Sequence, residues 1–336
     1  MPSRPTARPR RPLRRIALVV LGMVAAVGSA ELALRVIDPF DAAGFIERER
    51  FSEAILRRRP DGSLALRPGA RATLYGHEVV INAQGLRNAE IEQPKPPGVF
   101  RVLMIGDSVA FGWGVAEEHC LPRVLESLWN AAGPPAAATR VEVINCGVPG
   151  AGMPNELLWL REVGLALDPD LVLVTLINND LTDIVQALEA GPPAPAPLRL
   201  PDLLRATYVG RALEHGLAAA GGRLAAPDFY VSLDTVPAKV ATASDTLCAG
   251  FAEMRRLCGD RPFAVIDTIG ERDGSRRIEP FVTCANQLGL PRIDAFLGCP
   301  DYRERFSVTS TDDHPNAAGH RLMAEDVLAW VTARLR

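Results

Sequence analysis

Lysine is almost missing from this sequence. Of its 37 basic Lys and Arg residues only Lys95 and Lys239 are lysines. Alongside abundant Ala and Pro, that bias reads as genomic composition rather than as a recognition surface. An excess of one charge sign is lacking too, the formal net charge being −3. The basic charge is gathered at the start: residues 1–15 carry six arginines and no acid, which leaves 31 basic against 40 acidic residues beyond them. That balance excludes a broad nucleic-acid surface. Long apolar runs are confined to one place, which excludes a multi-span membrane protein. A composition of 48% hydrophobic and 23% charged residues excludes wholesale disorder and a collagen-like repeat. The chain has no internal repeat, P-loop, dinucleotide fingerprint or metal-ligand spacing, so neither a cofactor nor a metal is expected. The six cysteines (Cys120, Cys146, Cys248, Cys258, Cys284 and Cys299) contain no CxxC pair, which removes a zinc cluster and a thioredoxin-like site. In an oxidising compartment Cys248/Cys258 and Cys284/Cys299 are close enough in sequence to be bridged; free buried thiols are the other reading.

What is present begins with the arginines running into Ile16–Ala30, fifteen residues without a charge. Export machinery reads this combination, and the arginines hold the N-terminus on the cytoplasmic side. Gly28-Ser29-Ala30 offers a small-residue cleavage site. Extension through Leu32, Ala33 and Leu34, past Glu31 and Arg35, makes an uncleaved anchor instead, and both readings stay open. A buried helix of a cytoplasmic domain leaves the arginines unexplained. The expected layout is a basic cytoplasmic tail over 1–15 and a signal peptide or transmembrane anchor over 16–37. An extension with short strands follows over 38–98, closing in the linker Pro94–Gly98, and the main domain covers 99–336. The main domain then lies on the periplasmic or extracellular face.

The main domain alternates short aliphatic runs with helical text. Arg101–Ile105, Val141–Asn145, Leu171–Leu176, Phe263–Asp267 and Arg292–Asp294 read as strands, and Leu121–Ala132 as an amphipathic helix. A last helix over about Asn316–Leu335 places Leu322, Val327, Val331 and Leu335 on its apolar side. This alternation predicts a central, mostly parallel five-stranded sheet covered by helices on both faces. An insertion at about 185–245, opening on the Pro/Ala-rich Gly191–Pro201, is either a cap over a site or a surface insertion.

In such a sheet ligands gather outside the carboxyl ends of the strands. There stand Gly106-Asp107-Ser108, then the turn Gly147-Val148-Pro149-Gly150, then Asn178-Asn179-Asp180. Asp312-Asp313-His314-Pro315-Asn316 leads into the last helix. These are the parts of acyl transfer. Ser108 needs a base, and His314 supplies one near neutrality. A carboxylate beside it fixes the tautomer, Asp312 being the first choice and Asp313 the runner-up. The amides of Ser108 and Gly150 and the Asn179 side chain are the candidate oxyanion donors. Taken singly each is ordinary: Ser108 a helix cap, Gly150 a turn glycine, Asp312 or Asp313 a cap for the last helix. Asp107 and Asp180 are expected to hold loops through backbone hydrogen bonds, and Trp113 to pack in the core.

Together, Ser108 in GDS, Gly150 in the glycine turn, Asn179 in ND and His314 in HPN resemble the four blocks of the SGNH (GDSL-type) hydrolase superfamily. The preceding Asn82–Arg87 (NAQGLR) and the anchor-like start resemble its exported, membrane-associated members. The resemblance implies a three-layer α/β/α flavodoxin-like sandwich and an acyl-serine mechanism with Ser108, His314 and Asp312. It also implies an oxyanion hole of Ser108, Gly150 and Asn179, and no metal. Two blocks depart from the pattern. The third lacks its glycine, having Ile177 there, and the last has Thr311 three residues before His314 instead of an aspartate. The expected activity is hydrolysis of small acyl esters, such as O-acetyl groups on carbohydrate or short-chain esters. The alternatives are an O-acyltransferase acting on an exported polysaccharide and a catalytically inactive glycan-binding module.

Overall fold

A computed structural model describes residues 11–37, 42–177, 180–181, 184–185, 207–210, 212–213, 237–268, 279–295 and 302–335. The chain opens with α1 (Arg11–Ile37) and α2 (Ala42–Ile55). Two antiparallel hairpins follow, β1 (Leu56–Arg58) with β2 (Leu64–Leu66) and β3 (Arg71–Leu74) with β4 (His77–Val80). Then come β5 (Val99–Gly106), α3 (Ser108–Phe111), α4 (Leu121–Ala132), β6 (Arg140–Gly147), α5 (Met153–Glu162) and β7 (Leu171–Leu176). The described remainder comprises α6 (Pro237–Cys258), β8 (Phe263–Asp267), α7 (Glu279–Gln287), β9 (Arg292–Asp294), α8 (Tyr302–Phe306) and α9 (Ala317–Arg334).

By chain contacts there are two compact units. One is Met1–Glu47 with Pro195–Pro227, and the other is Arg48–Ala194 with Asp228–Arg336. In the first, Arg14–Ile37 is a 24-residue stretch long and apolar enough to cross a membrane, and its apolar side chains are exposed. At 1.5 Å per residue it reaches about 36 Å, enough for a hydrocarbon layer of about 30 Å. The charges that interrupt its end are used locally. Arg35 Nε donates to Glu31 at 3.0 Å, and Glu31 accepts the backbone amides of Tyr208 and Val209 at 3.2 and 2.9 Å. Those two residues belong to the insertion, of which only part lies among the described residues.

The second unit is built on a five-stranded sheet in the order β6-β5-β7-β8-β9, every pairing parallel. Side chains alternate along the strands. Val102, Met104, Val141, Val143, Leu171 and Leu173 pack with α4 and α9, while Leu103, Ile105, Ile144, Val172 and Val174 pack with α5, α6 and α7. Both faces are thus buried, which is why the strands read as continuous aliphatic runs rather than as alternating ones. The three-layer α/β/α arrangement with the N-terminal hydrophobic helix is as the sequence predicts. The strand direction of travel reverses between β5 and β7, the place where this strand order leaves a crevice at the carboxyl edge. At the opposite edge, buried Arg101 is satisfied by Glu142 at 2.6 Å and by the carbonyls of Leu167 and Glu92 at 2.8 and 3.0 Å. The hairpins and the end of α2 form a further cluster. In it Phe51, Ile55, Leu66, Leu74 and Ile81 pack with Phe111, Trp113 and Val148, the residues that follow β5 and β6.

Three expectations need correction. Cys248 is bridged to Cys284, with Cα atoms 6.3 Å apart, joining α6 to α7 rather than closing a local loop to Cys258. Cys120, Cys146 and Cys258 are buried free thiols, and Cys299 lies outside the described residues. On α9, Val327 and Val331 are buried as expected and Leu335 packs against the same cluster, but Leu322 is 38% exposed, its place on the apolar face being taken by Met323. The helix is capped by Asn316, whose Oδ1 accepts from Ala318 and Gly319, not by Asp312 or Asp313.

Candidate active site

The chain leaves β5 at Gly106 and turns at Asp107, whose Oδ1 accepts the amide of Val109 at 3.0 Å and so caps the short α3. This delivers Ser108 at the carboxyl edge of the sheet, 7% exposed. Its position depends on a close approach to β6. A Cβ on Gly147 would lie 2.1 Å from Phe111 N and 2.6 Å from Phe111 Cα, backbone atoms with no freedom to yield. Behind α3, buried Arg87 donates to the carbonyls of Phe111, Gly112 and Val115 at 3.1, 2.6 and 2.7 Å. Asn88 ties the same layer to β6 by donating to Asn145 O at 2.9 Å and accepting from Asn145 N at 3.0 Å. The Asn82–Arg87 segment therefore supports the serine turn.

After β6 the chain makes a turn closed by Ala151 N to Val148 O at 2.9 Å. Pro149 and Gly150 occupy its centre, and Gly150 has φ +74°. That is a type II turn, whose third position requires a left-handed residue. A Cβ on Gly150 would meet only Leu64 Cδ1 at 3.7 Å, so conformation rather than crowding demands the glycine. Among the described residues neither the Ser108 nor the Gly150 amide donates to any acceptor. Asp180 holds its own loop by accepting from Ile177 N at 3.0 Å. Asn178 and Asn179 lie outside the described residues.

The last segment is fixed by Asn316 N to Phe306 O at 2.6 Å, Val308 N to His314 O at 2.9 Å and Thr309 N to Asp312 O at 3.2 Å. It carries His314 to the serine. Nε2 lies 2.8 Å from Ser108 Oγ, and Nδ1 lies 2.5 Å from Asp312 Oδ1. Asp312, not Asp313, is thus the carboxylate that meets the ring. Its other oxygen accepts from Tyr75 OH at 2.7 Å and from Trp113 Nε1 at 3.0 Å. Trp113 does pack against Phe51, ring centroids 5.3 Å apart, but it also serves the site through its indole N–H. Tyr75 sits in the β3–β4 turn, and its hydroxyl accepts from Arg48 Nη1 at 2.9 Å. Neither contact was foreseen. The Tyr75-Gly76 pair between two short strands signals a hairpin turn, but nothing in it points to residue 312.

The electrostatics follow from this packing. Burial raises Asp312, yet the His314 hydrogen bond and charge, the Tyr75 hydroxyl and the His314 amide together hold its carboxyl well below the usual range. Burial lowers His314, but the hydrogen bond and charge of Asp312, with the charges of Asp107 and Asp313, outweigh it and raise the imidazole above its ordinary value. Buried Glu156 behaves oppositely: loss of solvent, then the charges of Asp180 and Asp107, push it well above the carboxylate range. Among the described residues neither of its oxygens has a hydrogen-bond partner. Asp312, Asp313 and His314 offer ligand atoms within 4.8 Å of one another, but Asp312 and His314 already spend theirs on each other.

A hydroxyl, an imidazole and a carboxylate in hydrogen-bonded series at the edge of a doubly covered parallel sheet define a serine hydrolase of the α/β/α type. The GDSL-like Lipase/Acylhydrolase family matches residues 104–322, and the chain belongs to it, as a hydrolase acting on ester bonds. No curated protein matches the chain. Among solved structures, the lipase/acylhydrolase from Enterococcus faecalis is 16% identical, with 70% of this chain and 97% of that one covered and a TM-score of 0.41. The lipase Lip_vut3 from a goat rumen metagenome is 17% identical over 70% and 100%, with a TM-score of 0.43. The acetyl xylan esterase AlAXEase is 13% identical over 69% and 99%, with a TM-score of 0.40. Likenesses of this size assign no residue roles; those rest on the site itself.

Proposed function

We propose that the chain is an exported, membrane-tethered esterase that hydrolyses small acyl esters, such as O-acetyl groups on carbohydrate or short-chain esters, through an acyl-serine. The observation that carries this is the unbroken series from Ser108 Oγ through His314 to Asp312, with spacings of 2.8 and 2.5 Å. Ser108 attacks the acyl carbon while His314 Nε2 takes its proton, and Asp312 stabilises the imidazolium. The charge on the tetrahedral oxygen goes to the amides of Ser108 and Gly150. Asn179, outside the described residues, is assigned the third donor from its place in the sequence block. One such donor contributes about 2.7–4 kcal/mol in other enzymes. His314 then protonates the leaving alkoxide oxygen. Water, deprotonated by the same imidazole, attacks the acyl-serine, and Ser108 leaves with that proton as the carboxylic acid departs.

The six arginines of residues 1–15, ahead of the uncharged Ile16–Ala30, support a cytoplasmic N-terminus, which sets the hydrolytic unit on the far side of the membrane. The intact series argues against a catalytically silent binding module. Ser108→Ala and His314→Ala are each expected to lower turnover of a chromogenic acetyl ester by about 10³-fold or more. Circular dichroism of the two variants should match that of the wild type. Turnover unchanged in both variants rejects the mechanism.

A further inference from the structure

A carboxylate held by one oxygen swings about its Cβ–Cγ bond. In Asp312, Oδ1 faces His314, and Oδ2 is held by two donors from distant parts of the chain. Trp113 comes from the loop after α3, and Tyr75 lies 237 residues earlier, in the turn between β3 and β4. Arg48 of α2 donates to the phenol oxygen in turn. A continuous series therefore runs from Arg48 through Tyr75, Asp312 and His314 to Ser108. A second observation concerns the turn itself. Tyr75 has φ +49° and Gly76 φ +79°. In a turn of this hand glycine, asparagine or aspartate fits more cheaply, and a non-glycine residue kept there points to a role. Packing alone is a weak reason for the tyrosine, because its side chain is only half-buried.

Building on the hydrolytic reading, we propose that Tyr75, backed by Arg48, is a positioning residue of the reaction, through which the N-terminal extension fixes the orientation and charge of Asp312. The phenol stays a donor. Burial raises Tyr75 well above its ordinary value; the Arg48 hydrogen bond pulls it down, and the hydrogen bond and charge of Asp312 push it up again. Its hydrogen bond spreads part of the Asp312 charge. Without it the carboxylate holds the imidazolium more strongly, so His314 should titrate at higher pH. The other charged groups facing the ring, Asp107 and Asp313, are untouched by the substitution.

The test uses Tyr75→Phe in the full chain in detergent micelles, with the His314 ring titrated by NMR. The protein has five histidines, and a His314→Ala sample identifies the resonance. The midpoint is expected to rise by about 0.3–1 unit, the acid limb of kcat/KM to move with it, and kcat to fall about tenfold with KM within about twofold. Leu74→Ala weakens the same hairpin without touching the series and is expected to leave the midpoint in place. An unchanged midpoint in Tyr75→Phe, or an equal shift in Leu74→Ala, overturns the proposal. The titration is read in the resting protein. Absence of Ser108-dependent turnover in the wild type would therefore strike the hydrolytic reading alone.

Discussion

The Ser108 hydroxyl has one proton and two acceptors, His314 Nε2 at 2.8 Å and Asp107 Oδ2 at 3.1 Å. Only the first leads to attack, and only while the imidazole is neutral. The raised His314 value therefore predicts that kcat/KM for an ester falls as pH drops through a midpoint above the ordinary histidine value of about 6.5. A pH–rate profile with its acid limb at or below that value would contradict the description of the site. The same shift has a thermodynamic side. An imidazole with a raised folded value stabilises the fold fully below its unfolded value and loses that contribution as pH rises through the folded one. The catalytically competent, neutral form is thus the less stabilised one. Asp312 works the other way: its depressed value stabilises the fold above the unfolded carboxylate value and is lost only in strong acid.

At the scale of elements, the nucleophile rests on a four-residue helix that gains its place from contact rather than from length. Gly147 is the contact. Gly147→Ala drives a methyl into the backbone of Phe111, and the relief is a displacement of α3. Misplacing a reacting group by about 1 Å costs about 10²-fold in rate. The expected result is a fall in kcat of that order with a lower melting temperature, and wild-type kcat would show that α3 does not lean on β6 as described. The elements also show what pattern reading resolves. The sheet strands were visible because both of their faces are buried. In α5 the buried positions are Met153, Glu156, Trp159 and Leu160, and the carboxyl in that stripe breaks the apolar signal, so the helix went unmarked. On α9, Val327 and Val331 hold the expected face, but near the helix start the buried positions are Gly319, His320 and Met323, so Leu322 is left exposed.

Over the whole molecule, the blocks around Ser108, Gly150 and His314 were legible because each is a short local motif at a strand end or a helix start. The partners of Asp312 were not, because Tyr75 and Trp113 reach it across 237 and 199 residues. Nor was the Cys248–Cys284 bridge, which depends on α6 lying beside α7. The extension illustrates the difference most sharply. In sequence it is a run of short strands before a linker. In the fold its residues from Arg48 onward share a compact unit with the sheet and reach the carboxylate of the triad. Everything functional turns on whether Ser108 is an activated nucleophile. The most direct measurement is reaction of the full-length chain with a fluorophosphonate, followed by mass-spectrometric mapping of the adduct. The predicted result is one adduct, on Ser108, absent from Ser108→Ala and strongly slowed in His314→Ala. An unreactive wild type, or labelling that persists in Ser108→Ala, would contradict it.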